Sequence, residues 1–296
     1  MDIDKQIRLA TFNWLTEQVE KYGDVLDRAK LAEGFKFKNI QIPLVSPQGI
    51  FKPKQFDLPL SITTTPKGPY SDSFDKNDFL LYKYRGKNPQ HRDNVGLRKC
   101  MQQNIPLVYF HGIVPGRYLS VWPVYIVGDK PDKLTFKVAA DDQYDVQEEI
   151  NKVEEGDIYR RAYITSTVRR RLHQRGFRER VIKAYQSQCS FCKLKHAKLL
   201  DAAHIVPDIE DDGIPSINNG LALCKIHHAA FDQHIIGITP DYQIKVKEDV
   251  LHEKDGPMLK HGIQELQDRK LILPKSKKAW PKQEFLDWRY ERFRSK

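Results

Sequence analysis

Three short segments decide the fold: Cys189-Ser-Phe-Cys192, then LLDAAHIVP over 199–207, then INNGLALCKIHHAAFD over 217–232. The apolar run that ends at His204 has the length and composition of a strand. Asn219 lies in the connecting segment before a second apolar run, and the residues after that run follow helical spacing. This order predicts a unit of two strands and a helix, a ββα unit, whose polar side chains converge.

Two pairs of metal-ligating residues frame this unit. Cys189-x-x-Cys192 and Cys224-x-x-His227 have internal spacings that let each pair hold one tetrahedral Zn²⁺ through thiolate and imidazole ligands. The alternative is a set of buried free thiols, which leaves the spacing unexplained. A site with four protein ligands has no open coordination position, so we expect this zinc to stabilise the fold. Cys100 is the one cysteine left over.

Polar residues at the strand end, in the connecting segment and early in the helix are candidates for chemistry. His204 follows the first strand, Asn219 precedes the second, and His228 follows the proposed zinc ligand directly. Asp232 comes one helical turn after His228, on the same helix face. A lone histidine at the end of a strand is more often a core residue. The prediction therefore depends on His204, Asn219 and His228 occurring together in this order.

These motifs, in this order, resemble the HNH or ββα-metal nuclease family over roughly Tyr159 to Gly237. The resemblance implies that His204 is the general base that takes a proton from the attacking water. It implies that Asn219 fixes the geometry of the active loop and that His228 binds a divalent ion, Mg²⁺ or Mn²⁺. Asp232 is expected to reach the same ion or to orient the imidazole.

The chain departs from the family pattern at Ala203, where many members carry an acidic or histidine metal ligand immediately before the general base. Asp201 is the candidate replacement, although strand alternation predicts that it faces away from His204. Retained water is the other way to complete the coordination of Mg²⁺. The variant that reads DAAHI, NGL, HH and FD resembles bacterial restriction-type nucleases.

The rest of the chain predicts an α+β protein with a β-rich N-terminal domain over 1–140, an acidic linker over 141–158 and the nuclease domain with a helical tail over 159–296. An amphipathic helix is expected around Ile7 to Val19, and another around Asn94 to Gln103. Between them and after them, short runs rich in Val, Ile, Tyr and Phe indicate strands of a curved sheet or small barrel.

The overall plan resembles modification-dependent restriction endonucleases, in which a PUA-like or SRA-like reader precedes an HNH domain. Such readers take a flipped base, such as modified cytosine, into an aromatic pocket. Pocket candidates are Tyr82, Tyr84, Tyr109, Phe110, Tyr118 and Trp122. A Gly-bearing turn before Arg117 and Tyr118 predicts that these two side chains point outward toward DNA.

The charge of the chain favours an anionic partner. The formal net charge is +10 and the pI is about 9.2, and clustered cations gain free energy when they release the counterions of phosphates. The densest cluster follows the acidic linker, and a solvated helix face is its ordinary explanation. The DNA-binding candidates in that cluster are Arg169, Arg170, Arg171, Arg175 and Arg178.

The sequence therefore predicts a cytoplasmic, metal-dependent endonuclease that acts on double-stranded, modified DNA as part of a restriction system. It contains neither a secretory signal nor an apolar run of membrane-spanning length. A homodimer is a reasonable assembly, because one HNH site cuts one strand. The alternatives are a non-catalytic, zinc-stabilised DNA-binding module and an RNA-directed or toxin nuclease.

Overall fold

The computed structural model describes residues 3–65, 73–76, 79–141, 155–210, 213–254 and 256–295. The chain divides by its contacts into two compact units, Met1–Arg175 and Gly176–Lys296. Most of the predicted acidic linker, residues 142–154, lies outside the described residues, and the division into domains stays a prediction. None of the described helices combines the length and the apolar character that a membrane span requires.

The first unit is built around a curled sheet. Its helices and strands, with the helix that leads into the second unit, are α1 (Ile3–Tyr22), β1 (Val25–Asp27), α2 (Arg28–Glu33), β2 (Phe35–Phe37), β3 (Ile40–Ile42), β4 (Ile50–Phe51), β5 (Ser61–Thr64), β6 (Ser73–Phe74), β7 (Leu80–Lys83), α3 (Arg92–Gln102), β8 (Leu107–Val114), β9 (Arg117–Lys130), β10 (Thr135–Ala140) and α4 (Glu155–Ala184).

The main sheet follows the order β4-β5-β8-β9-β10-β7-β6, and β1 pairs with the start of β9. All pairings are antiparallel except that between β5 and β8. Among the described residues the two ends of this path, β4 and β6, do not pair with each other. The mixed α+β class is confirmed, whereas a closed PUA-like or SRA-like barrel is not seen.

Apolar clusters cover both faces of this sheet. Successive residues along its long central strands therefore belong alternately to the two clusters. Leu107, Tyr109 and Leu119 belong to a cluster that includes α3 and residues of α4. Val108 and Phe110 belong to another that includes α1 and α2.

The aromatic pocket candidates all fall in these clusters. Tyr82, Tyr84, Tyr109, Phe110, Tyr118 and Trp122 are buried core residues, each at most 6% exposed. They supply packing area in both clusters, so none of them presents a ring to a flipped base in this structure.

The second unit contains the predicted ββα arrangement. After the end of α4 its elements are β11 (Leu200–His204), β12 (Gly220–Cys224), α5 (Lys225–Asp232), β13 (Ile236–Ile238), β14 (Ile244–Val246), α6 (Glu248–His252), α7 (Pro257–Gly262) and α8 (Gln283–Ser295). β11 and β12 form an antiparallel pair, and α5 begins at the residue after β12. One core joins this pair to α5, α8 and the β13–β14 hairpin.

Candidate active site

The antiparallel register of β11 and β12 determines where the first candidate residue lies. His204, at the end of β11, pairs with Gly220 at the start of β12. A Cβ atom at Gly220 would lie 2.5 Å from Cγ2 of Val181 and 2.9 Å from the ring of Phe177. Glycine is therefore required for α4 to pack this closely on the β11–β12 pair.

Asn219 fixes the segment between the two strands. Its side chain is fully buried; its Oδ1 accepts a hydrogen bond from the amide of Val206 at 2.8 Å. Its Nδ2 donates to the carbonyl oxygens of Val206 at 2.9 Å and of Ile214 at 3.1 Å. One amide group thus ties both ends of the segment that follows His204, which supports the loop-fixing role predicted for it.

The imidazole of His204 lies in an apolar setting. It stacks on the ring of Phe177 with centroids 4.0 Å apart and planes 11° from parallel. Its Nε2 is buried and has no hydrogen-bond partner among the described residues. Burial, together with the nearby charge of His228, lowers the pKa of His204, and this outweighs the opposing effect of Asp208 and Asp232. The ring is therefore held as a neutral imidazole near pH 7.

His228 stands between two carboxylates, one on each side of its ring. Its Nε2 lies 3.3 Å from Oδ2 of Asp232. Its Nδ1 lies 3.8 Å from Oδ2 of Asp201. The side chain of Asp201 therefore belongs to this cluster, although strand alternation predicted that it would face away from His204.

Asp201 is anchored by two cations. Arg178 Nε lies 3.3 Å from Oδ1 of Asp201, and the ammonium group of Lys225 pairs with Oδ2. Although partial burial raises the pKa of Asp201, Lys225 and Arg178 lower it below its ordinary value. Arg178 also donates to the carbonyl oxygens of Ala197 and Leu200. Its described contacts are thus within the protein, not at an open phosphate-binding surface.

Asp232 has a neighbour that sequence reasoning missed. Arg289 of α8 is 7% exposed, donates to the carbonyl oxygen of Phe231 at 2.9 Å and lies 3.6 Å from Oδ1 of Asp232. Its guanidinium also lies over the ring of Phe231, 4.5 Å from the centroid. The available signal was an arginine in the apolar stripe of α8, between Leu286 and Phe293.

The four predicted zinc ligands come together as predicted. One donor atom from each of Cys189, Cys192, Cys224 and His227 lies within 4.8 Å of the others. His227 Nδ1 is 3.4 Å from Sγ of Cys189 and 3.2 Å from Sγ of Cys224. Its Nε2 donates to the carbonyl oxygen of Gly262 at 2.6 Å. A Cys₃His donor set with an oriented histidine is compatible with zinc.

The remaining predicted DNA contacts divide into two groups. Arg169, Arg170 and Arg171 are exposed on α4. Arg175 instead pairs with Asp24 at 3.1 Å.

The turn residues near the start of β9 differ from expectation. Arg117 pairs with Asp27 at 3.1 Å. Tyr118 is only 6% exposed and belongs to the core cluster shared with α1. The outward orientation predicted for Tyr118 is wrong, because its place in the strand directs the ring into that core.

Comparison with known proteins gives a family match for part of this unit. The HNH endonuclease family model matches residues 189–239, which contain the Cys/His group, the ββα unit and the histidine cluster. No curated protein matches the chain.

Two solved structures give weak matches. The modification-dependent TagI restriction endonuclease matches at 15% identity and a TM-score of 0.31, over 93% of this chain and 89% of that one. The Type IV phosphorothioation-dependent restriction endonuclease ScoMcrA matches at 16% identity and a TM-score of 0.20, over 57% of this chain and 52% of that one. At these TM-scores neither match establishes a shared fold.

Proposed function

We propose, on the premise that residues 189–239 form an HNH endonuclease domain, that this chain is a metal-dependent endonuclease that hydrolyses phosphodiester bonds in DNA. The observation that carries the proposal is a neutral imidazole, His204, in the same ββα unit as the paired His228 and Asp232. A zinc fold kept for stability alone requires none of these three residues. We assign His204 as the base, and His228 with Asp232 as metal ligands.

His228 and Asp232 suit a divalent ion such as Mg²⁺ or Mn²⁺. The 3.3 Å between Nε2 and Oδ2 is close to the separation of about 3 Å between adjacent ligands in an octahedral site with bonds of about 2.1 Å. Mg²⁺ retains several waters, so two protein ligands are sufficient despite alanine at position 203. When bound, the ion supplies charge to polarise the phosphate and stabilise the leaving oxygen.

Asp201 is better suited to orient His228 than to bind the ion. An imidazole presents its two nitrogens in diverging directions, so one ion cannot use both. Asp201 faces Nδ1 and is already paired with Arg178 and Lys225, whose contacts it would have to lose in order to bind metal. A carboxylate at Nδ1 fixes the ring tautomer that leaves Nε2 free to act as a ligand.

In the chemical step, His204 takes a proton from the water that attacks phosphorus. Its lowered pKa keeps the imidazole neutral, which is the state that can accept this proton. The stack on Phe177 fixes the plane of the ring. Asn219 holds the segment that follows His204 in place through its three hydrogen bonds to Val206 and Ile214. Zn²⁺ at Cys189, Cys192, Cys224 and His227 would stabilise the unit without taking part in the reaction.

We further propose that the chain is a restriction enzyme directed to modified DNA by its N-terminal domain, residues 1–140. A nuclease module that needs only a phosphodiester and a metal would cut indiscriminately, so target choice requires another part of the chain. Arg169, Arg170 and Arg171 are exposed and are suited to sequence-independent phosphate contacts. The linker at 141–158, a cytoplasmic location and a homodimer belong to the same proposal.

The test is cleavage of two matched plasmids, one unmodified and one with modified cytosine, in Mg²⁺ or Mn²⁺. His204→Ala should abolish cleavage while DNA binding and folding are retained. His252→Ala is the matched control, since that histidine is an exposed residue paired only with Glu248 among its described contacts. Wild-type cleavage by His204→Ala would remove the base assignment, and absence of cleavage by the wild-type protein would favour a non-catalytic binding module.

Two further comparisons separate the remaining alternatives. Cleavage of RNA in preference to duplex DNA by the same preparation would indicate an RNA-directed or toxin nuclease. Removal of the residues before about 145 should leave a weak nuclease without target preference. If the shortened protein keeps the full preference for modified DNA, the N-terminal domain is not the reader.

A further inference from the structure

A lysine-rich segment in the second unit lies outside the residues that match the family model. Between Pro274 and Gln283 the chain contains four lysines and no acidic residue. Lys282 pairs with Glu284 at 2.8 Å. Lys275, Lys277 and Lys278 are exposed, and no carboxylate among the described residues lies within ion-pair distance of them. We call residues 275–278 the lysine segment.

This segment is fastened to the strand connection of the candidate active site. Asn218 Nδ2 donates to the carbonyl oxygens of Lys278 and Trp280, both at 2.8 Å. In return, the amide of Lys282 donates to the carbonyl oxygen of Asn218 at 3.1 Å. Asn218 is therefore the link between the lysine segment and the turn that contains Asn219.

Trp280 makes the attachment rigid. Its Nε1 donates to the carbonyl oxygen of Pro274 at 2.7 Å, which closes the segment on itself. Its ring packs edge-on against Tyr242 with centroids 5.7 Å apart. The lysine segment is thus exposed, its end runs into a 3-10 turn at Lys277–Ala279, and these hydrogen bonds tie its backbone to the unit, so its side chains project from a defined position.

The position of Asn218 brings these cations close to the candidate base. Asn218 lies two residues before Gly220, and Gly220 is the strand partner of His204. Two residues correspond to at most about 8 Å of Cα path between Asn218 and Gly220. The strand pairing of Gly220 with His204, the side chain of Asn218 and the lysine side chain each add several ångströms to the separation of base and cation. Lys277 lies over the ring of Trp280, 5.9 Å from the centroid, and the three lysines have no carboxylate partner among the described residues. Cations fastened to the strand connection of the site are suited to contact the DNA backbone near the phosphate on which His204 acts.

We propose that Lys275, Lys277 and Lys278 bind the phosphate backbone of duplex DNA beside the scissile phosphate, with Asn218 as the positioning residue that holds them there. The inference rests on the proposed nuclease function and extends it to a substrate-binding surface outside residues 189–239. Contacts of this kind fix the position of the duplex and carry no sequence information. They should therefore contribute equally on unmodified and modified DNA.

The test compares Lys277→Ala/Lys278→Ala with Lys254→Ala/Lys260→Ala, which removes the same charge from exposed positions in the segment around α6 and α7. All variants are made in the His204→Ala background, and binding to a short unmodified duplex is measured over a range of salt concentrations without divalent metal. Loss of Lys277 and Lys278 should reduce the slope of log K against log salt by about 0.9 per contact, close to 2 in total. The control pair should leave the slope unchanged.

Asn218→Ala keeps every lysine and should weaken binding with a smaller change in slope than the double lysine variant, because the charges remain but lose their fixed position. In the active background, both changes should raise KM and leave kcat nearly unaltered, as expected for uniform binding. Thermal unfolding and zinc content confirm that each variant is folded.

The outcomes separate this inference from the function on which it rests. If wild-type protein cuts DNA but the lysine variant keeps the wild-type salt slope and KM, the surface is wrong and the nuclease assignment stands. An equal loss of affinity and salt slope in the Lys277/Lys278 and Lys254/Lys260 variants would also overturn the proposed surface, since the effect would then come from net charge alone. If the protein neither binds nor cuts duplex DNA, both proposals fail together.

Discussion

The replacement of Asn219 offers the sharpest test of how the site is built. Asn219 is fully buried, and its side chain makes three hydrogen bonds to the backbone of Val206 and Ile214. Asn219→Ala leaves the buried amide of Val206 without its acceptor and the carbonyl oxygen of Val206 without the Asn219 donor. The carbonyl oxygen of Ile214 keeps the amide of Ser216 at 2.7 Å. At about 1 kcal/mol for each net hydrogen bond, and about 1–3 kcal/mol for a buried unsatisfied donor, we expect a loss of about 2–4 kcal/mol in the free energy of unfolding.

At neutral pH the Asn219→Asp variant should be less stable to unfolding than the Asn219→Ala variant, although aspartate is closer to asparagine in shape. The new carboxylate can accept from the Val206 amide, but its second oxygen faces the carbonyl oxygens of Val206 and Ile214. Burial and these oxygens raise the pKa of the new group. Its protonated form can donate to one carbonyl. Acidification from pH 7 toward pH 4 should therefore reduce the difference in unfolding free energy between the aspartate and alanine variants.

The assay is hydrogen exchange of peptides that cover residues 200–224, with urea unfolding and zinc content measured on the same samples. Asn218→Ala is the control, because its amide binds the carbonyls of Lys278 and Trp280 at a partly exposed position and should cost less. If Asn219→Ala is as stable as the wild type, the hydrogen bonds do not hold the loop. If the aspartate variant equals or exceeds the alanine variant at neutral pH, the assigned orientation of the amide is wrong.

Three further predictions concern the base, the zinc group and the C-terminal helix. The pH profile of kcat/KM should have its acid limb below about pH 6.5, because burial lowers the pKa of His204; a limb at higher pH would contradict the assignment. Cys192→Ser should release zinc and lower the thermal unfolding temperature, whereas Cys100→Ala should keep the metal, and equal zinc content in both would leave the cysteines as ordinary thiols. Arg289→Met should lower the free energy of unfolding by about 1 kcal/mol, since the carbonyl oxygen of Phe231 loses the Arg289 donor and keeps the amide of His234. Because Arg289 also lies 3.6 Å from Oδ1 of Asp232, its loss should weaken Mn²⁺ binding measured by electron paramagnetic resonance. Unchanged unfolding free energy and unchanged Mn²⁺ affinity would show that Arg289 does not hold Asp232 in place.

The parts of the site that the sequence predicts are those that depend on local spacing. Two Cys/His pairs predict one tetrahedral group because the spacing within each pair sets the distance between donors, and all four donors do meet. The strand, connection and helix around His204 and His228 follow from hydrophobic periodicity over a few residues each.

The parts that the sequence does not predict depend on pairing between distant residues. Arg178 looked like a phosphate ligand because it stands in an arginine run, yet it pairs with Asp201 of β11, a half-buried residue more than twenty positions away. Tyr118 follows a turn, but its strand pairs with β1 and directs the ring inward. Arg289 is separated from Asp232 by more than fifty residues, so spacing alone cannot connect them.

Two consecutive asparagines connect the chemistry of the site to its surface. Asn219 points inward and binds the backbone that follows His204, whereas Asn218 points outward and binds the backbone of the lysine segment. Loss of the first amide displaces residues beside the base and acts on the reacting state, so it should lower kcat. Loss of the second displaces only cations that contact DNA before and during the reaction, so it should raise KM. Because both amides belong to a single short turn, an effect on kcat from one substitution and on KM from its neighbour would reflect the orientation of the two side chains and not their distance from the scissile bond.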